Sequence, residues 1–166
     1  MREVVRDRER LEHIVEAINR ILNYCKTGEI EELEKDSLQF YGIVKNIEII
    51  GEAVYKLTSA FRSNHPQTPW EAISKMRHVL VHDYYQIDEE QVRNVIHSDL
   101  RVLHEQIMGY ISNTNWEEWN KNEKVLSESA VHKSLIQTAT RMKKDGLDIN
   151  QISRYTGLSL EEIEEI

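Results

Sequence analysis

Long stretches of this chain contain neither proline nor glycine, and their apolar residues recur at intervals of three and four. Its 166 residues include only two prolines and six glycines. The first such stretch has an apolar face made of Leu11, Ile14, Val15, Ile18, Ile21 and Leu22. Because this spacing matches the turn of an α-helix and not the alternation of a strand, the fold is predicted to be all-α. Short connections between amphipathic helices favour an antiparallel up-down helical bundle.

The second predicted helix carries a glycine inside its apolar stripe. That stripe consists of Phe40, Ile43, Val44, Ile47, Gly51, Val54 and Leu57. A glycine within a helix costs about 1 kcal/mol relative to alanine, so its presence needs a reason. We interpret Gly51 as the point where a neighbouring helix approaches closely.

Two further helices are predicted from their capping signals. Thr68 is expected to cap the third helix, with Pro69 as its first residue and Glu71 completing a capping box, and the helix runs to about Tyr84. Asp88 is expected to cap the fourth helix. The stripe of the fourth helix consists of Val92, Val95, Ile96, Leu103 and Ile107, with Asp99 among them. A carboxylate in such a stripe needs a partner, because burying an unpaired charge is costly.

A polar, asparagine-rich stretch begins at Ser112 and is interpreted as a boundary. We predict a bundle over residues 1–112, a polar connector over 113–126 and a C-terminal helical tail over 127–166. The first tail helix is expected from about Ser127 to Lys144. Gly157 then separates two short helices, and Ser159 with Glu162 caps the last one.

The end of the tail is similar to the small helix-turn-helix appendages of certain transposase-related nucleases. Its last helix, from Ser159, contains four glutamates and no basic residue. A DNA-recognition helix has to face phosphates with cations, so the charge does not favour DNA binding. A docking or dimer-supporting element is the preferred interpretation.

The bulk properties limit the functional class. The net charge of −8 argues against general affinity for nucleic acid or anionic membrane, so any RNA site has to be a local basic pocket. A single cysteine, Cys25, cannot form an internal disulfide, which fits a reducing cytoplasm, and it is expected in the core. The charged N-terminus lacks a signal-peptide core, and no apolar run reaches the roughly 20 residues that span a membrane. We expect a cytoplasmic protein.

The segment from Met76 to Tyr85, MRHVLVHDYY, places polar rings and an arginine in a predicted helix. At about 100° per residue, Tyr84 lies about 20° from Arg77 on a face with apolar neighbours, and the two histidines lie along one edge. A guanidinium among apolar residues is costly unless an anion meets it. Arginine, histidine and a phenol together can bind phosphate and move protons.

Two other interpretations of this segment stay open. Arg77 can instead pair with a structural carboxylate such as Asp99 or Glu52, while the histidines are half-buried surface residues. The spacing of His78 and His82 is also workable for two zinc ligands. However, the glutamate of a zincin motif and any cysteine pair are missing from the sequence. We predict neither a metal nor a cofactor.

Four blocks of sequence, spanning about Arg6 to Ile111, together resemble the HepT-like family of HEPN domains. The blocks are RDRERLEHIVEAINRILNY, KNIEIIGEAVYKL, TPWEAISKMRHVLVHDYYQID and VRNVIHSDLRVL. The central family pattern is Arg, four residues, His, one residue, Tyr, which here corresponds to Arg77, His82 and Tyr84. The family usually has a small polar residue after the arginine, whereas this chain has His78. That histidine either adds a second imidazole to the site or marks a member with weakened cleavage.

The resemblance implies a helical bundle that forms a homodimer, with the paired Arg–His motifs meeting in a cleft at the interface. It implies a metal-independent endoribonuclease that acts as the toxin of a toxin–antitoxin module. The family's antitoxin is a nucleotidyltransferase called MntA, which silences the toxin by transferring AMP to the motif tyrosine, here Tyr84. Arg77 and His82 are then the catalytic candidates, with His78 as a second proton carrier and Asp99 as a possible orienting carboxylate. The alternative is a non-catalytic module that binds a nucleotide or a partner.

Overall fold

A computed structural model describes residues 6–25, 34, 37–82, 85 and 87–166. These residues form helices and connecting turns, with no strand among them. The elements are α1 (Asp7–Cys25), α2 (Leu38–Lys56), α3 (Ser59–Asn64), α4 (Trp70–His82), α5 (Glu89–Asn94), a π-helical turn (Val95–Asp99), α6 (Leu100–Asn113), α7 (Trp116–Lys144), α8 (Ile149–Thr156) and α9 (Leu160–Glu164). The predicted all-α helical bundle is confirmed. The chain divides into two compact units, Met1–Thr114 and Asn115–Ile166.

Helix α2 is the centre of the N-terminal unit. It packs against α1 and α4, and α1 also packs against α6. The largest side chains with almost no exposure are Phe40, Phe61, Leu11, Ile14, Ile18, Ile21, Ile47, Ile50, Ile96, Leu100 and Ile107. Most of them belong to the predicted apolar stripes, because residues three and four apart share one face of a helix.

A buried carboxylate joins α1 to α3. Asp7 has no exposed surface, and its two oxygens accept hydrogen bonds from the backbone N–H of Thr58 (2.8 Å) and from its hydroxyl (2.6 Å). Thr58 in turn caps α3 by accepting from the backbone N–H of Phe61. Arg10 Nη1 lies 3.5 Å from the same carboxylate. Since a buried carboxylate is tolerated only with such partners, Asp7 has a structural role.

An aromatic cluster anchors the first turn of α4. Trp70 is buried there, and its indole Nε1 donates to the carbonyl of His65 at 2.8 Å. The His65 ring lies 4.1 Å from the ring of Tyr110 and 4.5 Å from that of Phe61, centroid to centroid. Burial in this cluster lowers the pKa of His65. The start of α4 is therefore fixed by rings from α3 and α6.

The capping box predicted for this helix is wrong. The Thr68 hydroxyl donates to Gln106 Oε1 at 2.9 Å and forms a second hydrogen bond with Tyr110 Oη at 2.6 Å. The carboxylate of Glu71 pairs instead with Lys75 at 2.7 Å. The helix begins at Trp70, and Pro69 supplies the carbonyl for its first helical hydrogen bond. Thr68 is buried against α6, so the polar groups of that helix take its hydroxyl.

The predicted fourth helix is interrupted by the π-helical turn. Asp88 caps its start as expected, by accepting from the backbone N–H groups of Glu90 and Gln91. The wider turn inserts a residue into the helical register, so Leu100 is buried while Asp99 is exposed. The prediction that Asp99 lies within the apolar stripe is therefore wrong.

The C-terminal unit begins with a long helix. Helix α7 starts at Trp116, because Asn115 caps it by accepting from the backbone N–H of Glu118 at 3.3 Å. The expected start near Ser127 is therefore wrong, and much of segment 113–126 is helical, whereas the expected end at Lys144 is confirmed.

The core of the C-terminal unit is small. Four buried residues form it: Ala139, Ile152, Leu158 and Ile163. Gly157 has a φ of 73°, the left-handed conformation that lets the chain turn between α8 and α9. The predicted capping box of Ser159 and Glu162 is confirmed at the start of α9. Helix, turn and helix therefore follow one another at the end of the chain as expected.

Two expectations that came from composition can be compared with the structure, one on the burial of Cys25 and one on membrane-spanning helices. Cys25, expected in the core, is only half-buried at the end of α1, and this burial raises the pKa of its thiol. No helix in the described part of the chain is long and apolar enough to span a membrane.

Candidate functional site

Arg77 lies at a point where α2 and α4 approach each other closely. A Cβ atom added to Gly51 would overlap the Cβ of Arg77 and would lie 3.2 Å from the carbonyl oxygen of Ile73. The prediction that Gly51 marks the close approach of a neighbouring helix is confirmed. The absent side chain lets the backbone of α4 sit directly on α2, so the position of Arg77 is set by backbone contact.

The guanidinium of Arg77 is paired with a carboxylate on α2. Its Nε lies 3.0 Å from Glu52 Oε2, and the other carboxylate oxygen of Glu52 lies 2.9 Å from Lys56 Nζ. The hydrogen bond from Lys56, aided by the charges of Lys56 and Arg77, lowers the pKa of Glu52. Glu52 is therefore ionised throughout the pH range in which imidazoles titrate. Arg77 Nε lies at ion-pair distance from Glu52 Oε2 without the alignment of a hydrogen bond, and arginine carries four further N–H donors on its two Nη atoms.

Arg77 is not sealed by this pairing. One third of its side chain is exposed (33%), and it borders two depressions of the N-terminal unit. The smaller depression has a volume of about 720 Å³ and is also lined by His78 and Arg62. An arginine that is fixed by a carboxylate and still open to solvent is suited to receive a phosphate.

His78 and His82 form a second pair on the exposed side of α4. Their ring centroids are 4.5 Å apart, and their planes are inclined by 51°. Both side chains are exposed, and the helix ends at His82. Two adjacent imidazoles can serve as a proton donor and a proton acceptor, and they lie on the C-terminal half of α4, the helix that also carries Arg77.

The other two candidates are placed differently. Tyr84 lies outside the described residues. Asp99 is exposed and, within the described residues, makes no ion pair, so its role as an orienting carboxylate stays a prediction. The carboxylate found beside Arg77 is Glu52, one of the two structural partners that the sequence left open.

The sequence offers Glu52 only as an alternative partner of Arg77, because a side chain at the edge of an apolar stripe is more often solvated. The signal that could have found it is its neighbour Gly51. A residue next to a close-approach glycine faces the flank of the neighbouring helix, which is where Arg77 lies.

The metal interpretation of the histidine pair has no third ligand in the described residues. Within them there is no group of three or more His, Cys, Asp or Glu side chains that could hold a metal ion.

Comparisons with known proteins find a matching family model and several relatives. A family model described as "Ribonuclease HepT-like" matches residues 14–109, more than half of the chain. The chain is 32% identical over 97 residues to "Putative RNase TTE0752" of Caldanaerobacter subterraneus subsp. tengcongensis. The aligned region covers 58% of this chain and 87% of that protein. The chain is 30% identical over 93 residues to "Probable ribonuclease HepT" of Thermococcus cleftensis, covering 56% of this chain and 84% of that protein. No solved structure matches the chain significantly.

Proposed function

Because the chain belongs to the HepT-like ribonuclease family, we propose that it is a metal-independent endoribonuclease whose catalytic residues are Arg77, His82 and His78. One observation supports this most strongly. The pattern residue Arg77 is fixed by Glu52 yet open to solvent, on the same helix as an exposed pair of imidazoles. A merely structural arginine has no need of an open depression on either side.

The reaction uses the RNA's own nucleophile. An imidazole removes the proton of the ribose 2′-hydroxyl, and the 2′-oxygen attacks the neighbouring phosphorus. Arg77 donates hydrogen bonds to the phosphate oxygens, on which negative charge builds up in the transition state. The bond from phosphorus to the 5′-oxygen breaks, and a second imidazole gives that oxygen a proton. The products are a 2′,3′-cyclic phosphate and a 5′-hydroxyl, and no metal takes part.

A homodimer is proposed as the active form, in a reducing cytoplasm. The support comes from an exposed apolar residue beside the histidines. Val79 exposes 50% of its surface on the last turns of α4, on the side of the helix that carries His78 and His82. A second copy packed over this side of α4 would bury Val79 and bring two sets of imidazoles into one cleft. In that arrangement the exposed Asp99 is proposed to orient a histidine.

The experiment that tests the ribonuclease proposal is direct. Purified protein is incubated with single-stranded RNA in EDTA, and the products are resolved on a gel. We expect cleavage without added metal. RNA that is bound but not cut would contradict the proposal and would indicate the non-catalytic binding module.

We also propose that the protein is a toxin silenced by AMP transfer to Tyr84 from an MntA-like nucleotidyltransferase. Family membership supports this, together with the place of Tyr84 two residues after His82. AMP on this side chain would bring a phosphodiester and a nucleoside to the end of α4, where they compete with RNA for the site.

Incubation with ATP and an MntA-like nucleotidyltransferase should add the mass of AMP to the peptide that carries Tyr84, and cleavage should fall in step with labelling. Peptide mass spectrometry locates the modification, and the Tyr84→Phe variant is the matched control that should stay unlabelled and active. Labelling of Tyr85 alone, or unchanged labelling of Tyr84→Phe, would overturn the assignment.

A further inference from the structure

The larger depression beside Arg77 is a basic groove in an acidic protein. It has a volume of about 980 Å³ and is lined by residues of α1, α2 and α4. Its charged lining consists of Arg10, Lys45, Lys56, Arg77, Glu48 and Glu52. The lining has four cations and two carboxylates, and the buried carboxylate of Asp7 beside Arg10 adds a third negative charge. The formal charge is therefore +1, with His13 counted as neutral, whereas the whole chain carries −8. The site motif accounts only for Arg77 among these cations.

The two carboxylates orient cations of the groove. Glu48 lies 2.7 Å from Lys45 Nζ, and Glu52 joins Lys56 to Arg77. Arg10 is held by a hydrogen bond from its Nη1 to the carbonyl oxygen of Lys56. Lys45 is the most accessible of the four cations, since 68% of its side chain is exposed, whereas its partner Glu48 is 20% exposed. The basic groups are therefore held along α2, with the most accessible of them, Lys45, three helical turns from Lys56.

Between the charged groups the lining is apolar. Ile49 and Ala53 from α2 and Leu80 and Val81 from α4 complete it. Ala53 and Leu80 are buried, whereas Val81 is 38% exposed. A groove that combines cations with an apolar surface matches a ligand in which phosphates alternate with sugars and bases.

We propose that this groove binds single-stranded RNA on one side of the phosphate held by Arg77. Lys45 contacts a phosphate remote from the cleavage point, and the apolar residues contact an adjacent sugar or base. A single strand is required because the bases of a duplex are paired with each other and cannot reach an apolar surface beside the backbone. The proposal rests on the proposed ribonuclease function, because it takes Arg77 as the seat of the cleaved phosphate.

Opposite charge changes in one ion pair test the groove. Binding of a short fluorescent single-stranded RNA is measured by anisotropy in the His82→Ala background, in EDTA, so that no cleavage occurs. Lys45→Ala should weaken binding about fivefold and make the plot of log affinity against log salt shallower by about 0.7. Glu48→Gln should tighten binding, because it removes a negative charge from the groove. Lys124→Ala is the matched control, since Lys124 is an exposed lysine paired with Glu128 in the C-terminal unit, and it should leave binding unchanged.

Competitors identify what the groove recognises. Unlabelled single-stranded RNA should displace the probe more efficiently than duplex RNA of the same length, and inorganic phosphate should compete weakly. Unchanged affinity in both Lys45→Ala and Glu48→Gln would overturn the proposal, as would equal competition by duplex RNA. If the protein cleaves RNA in EDTA but the groove variants bind RNA like the wild type, the groove proposal fails and the ribonuclease proposal stands. If the groove variants change RNA binding but the wild-type protein does not cleave RNA, the groove proposal stands and the ribonuclease proposal fails.

Discussion

Replacing His82 by alanine should lower the rate of RNA cleavage by at least about 100-fold. A positioned imidazole contributes this much when it transfers a proton to or from the reacting oxygen in the transition state. The fold should survive, because His82 is exposed at the end of α4 and contributes nothing to the core. The cleavage rate at saturating RNA is the quantity to measure, with a thermal unfolding curve to verify the fold.

His97→Ala is the matched control for this variant. His97 is also an exposed histidine of the N-terminal unit, but it lies on the π-helical turn and outside the proposed site. It should keep wild-type activity. Cleavage by His82→Ala at the rate of the His97→Ala control would remove the proposed proton-transfer step.

Replacing Gly51 by alanine should both destabilise the protein and impair cleavage. The new Cβ would collide with the Cβ of Arg77 and crowd the backbone carbonyl of Ile73, neither of which can move without shifting α4. Overpacking of this kind costs about 1–3 kcal/mol, which outweighs the gain of about 1 kcal/mol in helix propensity. Since the same shift displaces the Arg77 guanidinium from Glu52, cleavage should fall even at temperatures where the variant is folded.

Gly42→Ala separates the collision from the change in helix propensity. Gly42 lies on the same helix α2, and a Cβ there meets nothing within 4 Å. This variant should unfold at a higher urea concentration than the wild type and cleave RNA normally. The two variants are compared by urea unfolding and by initial cleavage rate. A Gly51→Ala protein that matches Gly42→Ala in both measurements would contradict the account of how Arg77 is positioned.

The features that the sequence predicted correctly depend on local pattern. The period of the apolar residues identifies the core helices, and a glycine inside the stripe of α2 indicates close approach because only such a contact justifies its cost. The caps at Asp88 and Ser159 are likewise local, since each involves residues two or three positions away.

The features that the sequence did not predict depend on tertiary partners or on one-residue changes of helical register. Thr68 has the sequence of a cap, but Tyr110 and Gln106 on α6 take its hydroxyl. The π-helical turn moves Asp99 out of the core, and the residue types around it do not distinguish a wider turn from a regular one. Asn115 looks like part of a polar loop, yet the same residue type caps helices.

The central claim is that Arg77 and the imidazoles of α4 cleave RNA through its own 2′-hydroxyl. The chemistry of the product ends tests this most directly. RNA is digested by the purified protein in EDTA, and the 3′ ends are identified by mass spectrometry. The account predicts fragments ending in a 2′,3′-cyclic phosphate, with 5′-hydroxyl groups on their neighbours, and none of either from the Arg77→Ala protein. Cleavage that requires a divalent metal and leaves 3′-hydroxyl and 5′-phosphate ends would contradict it.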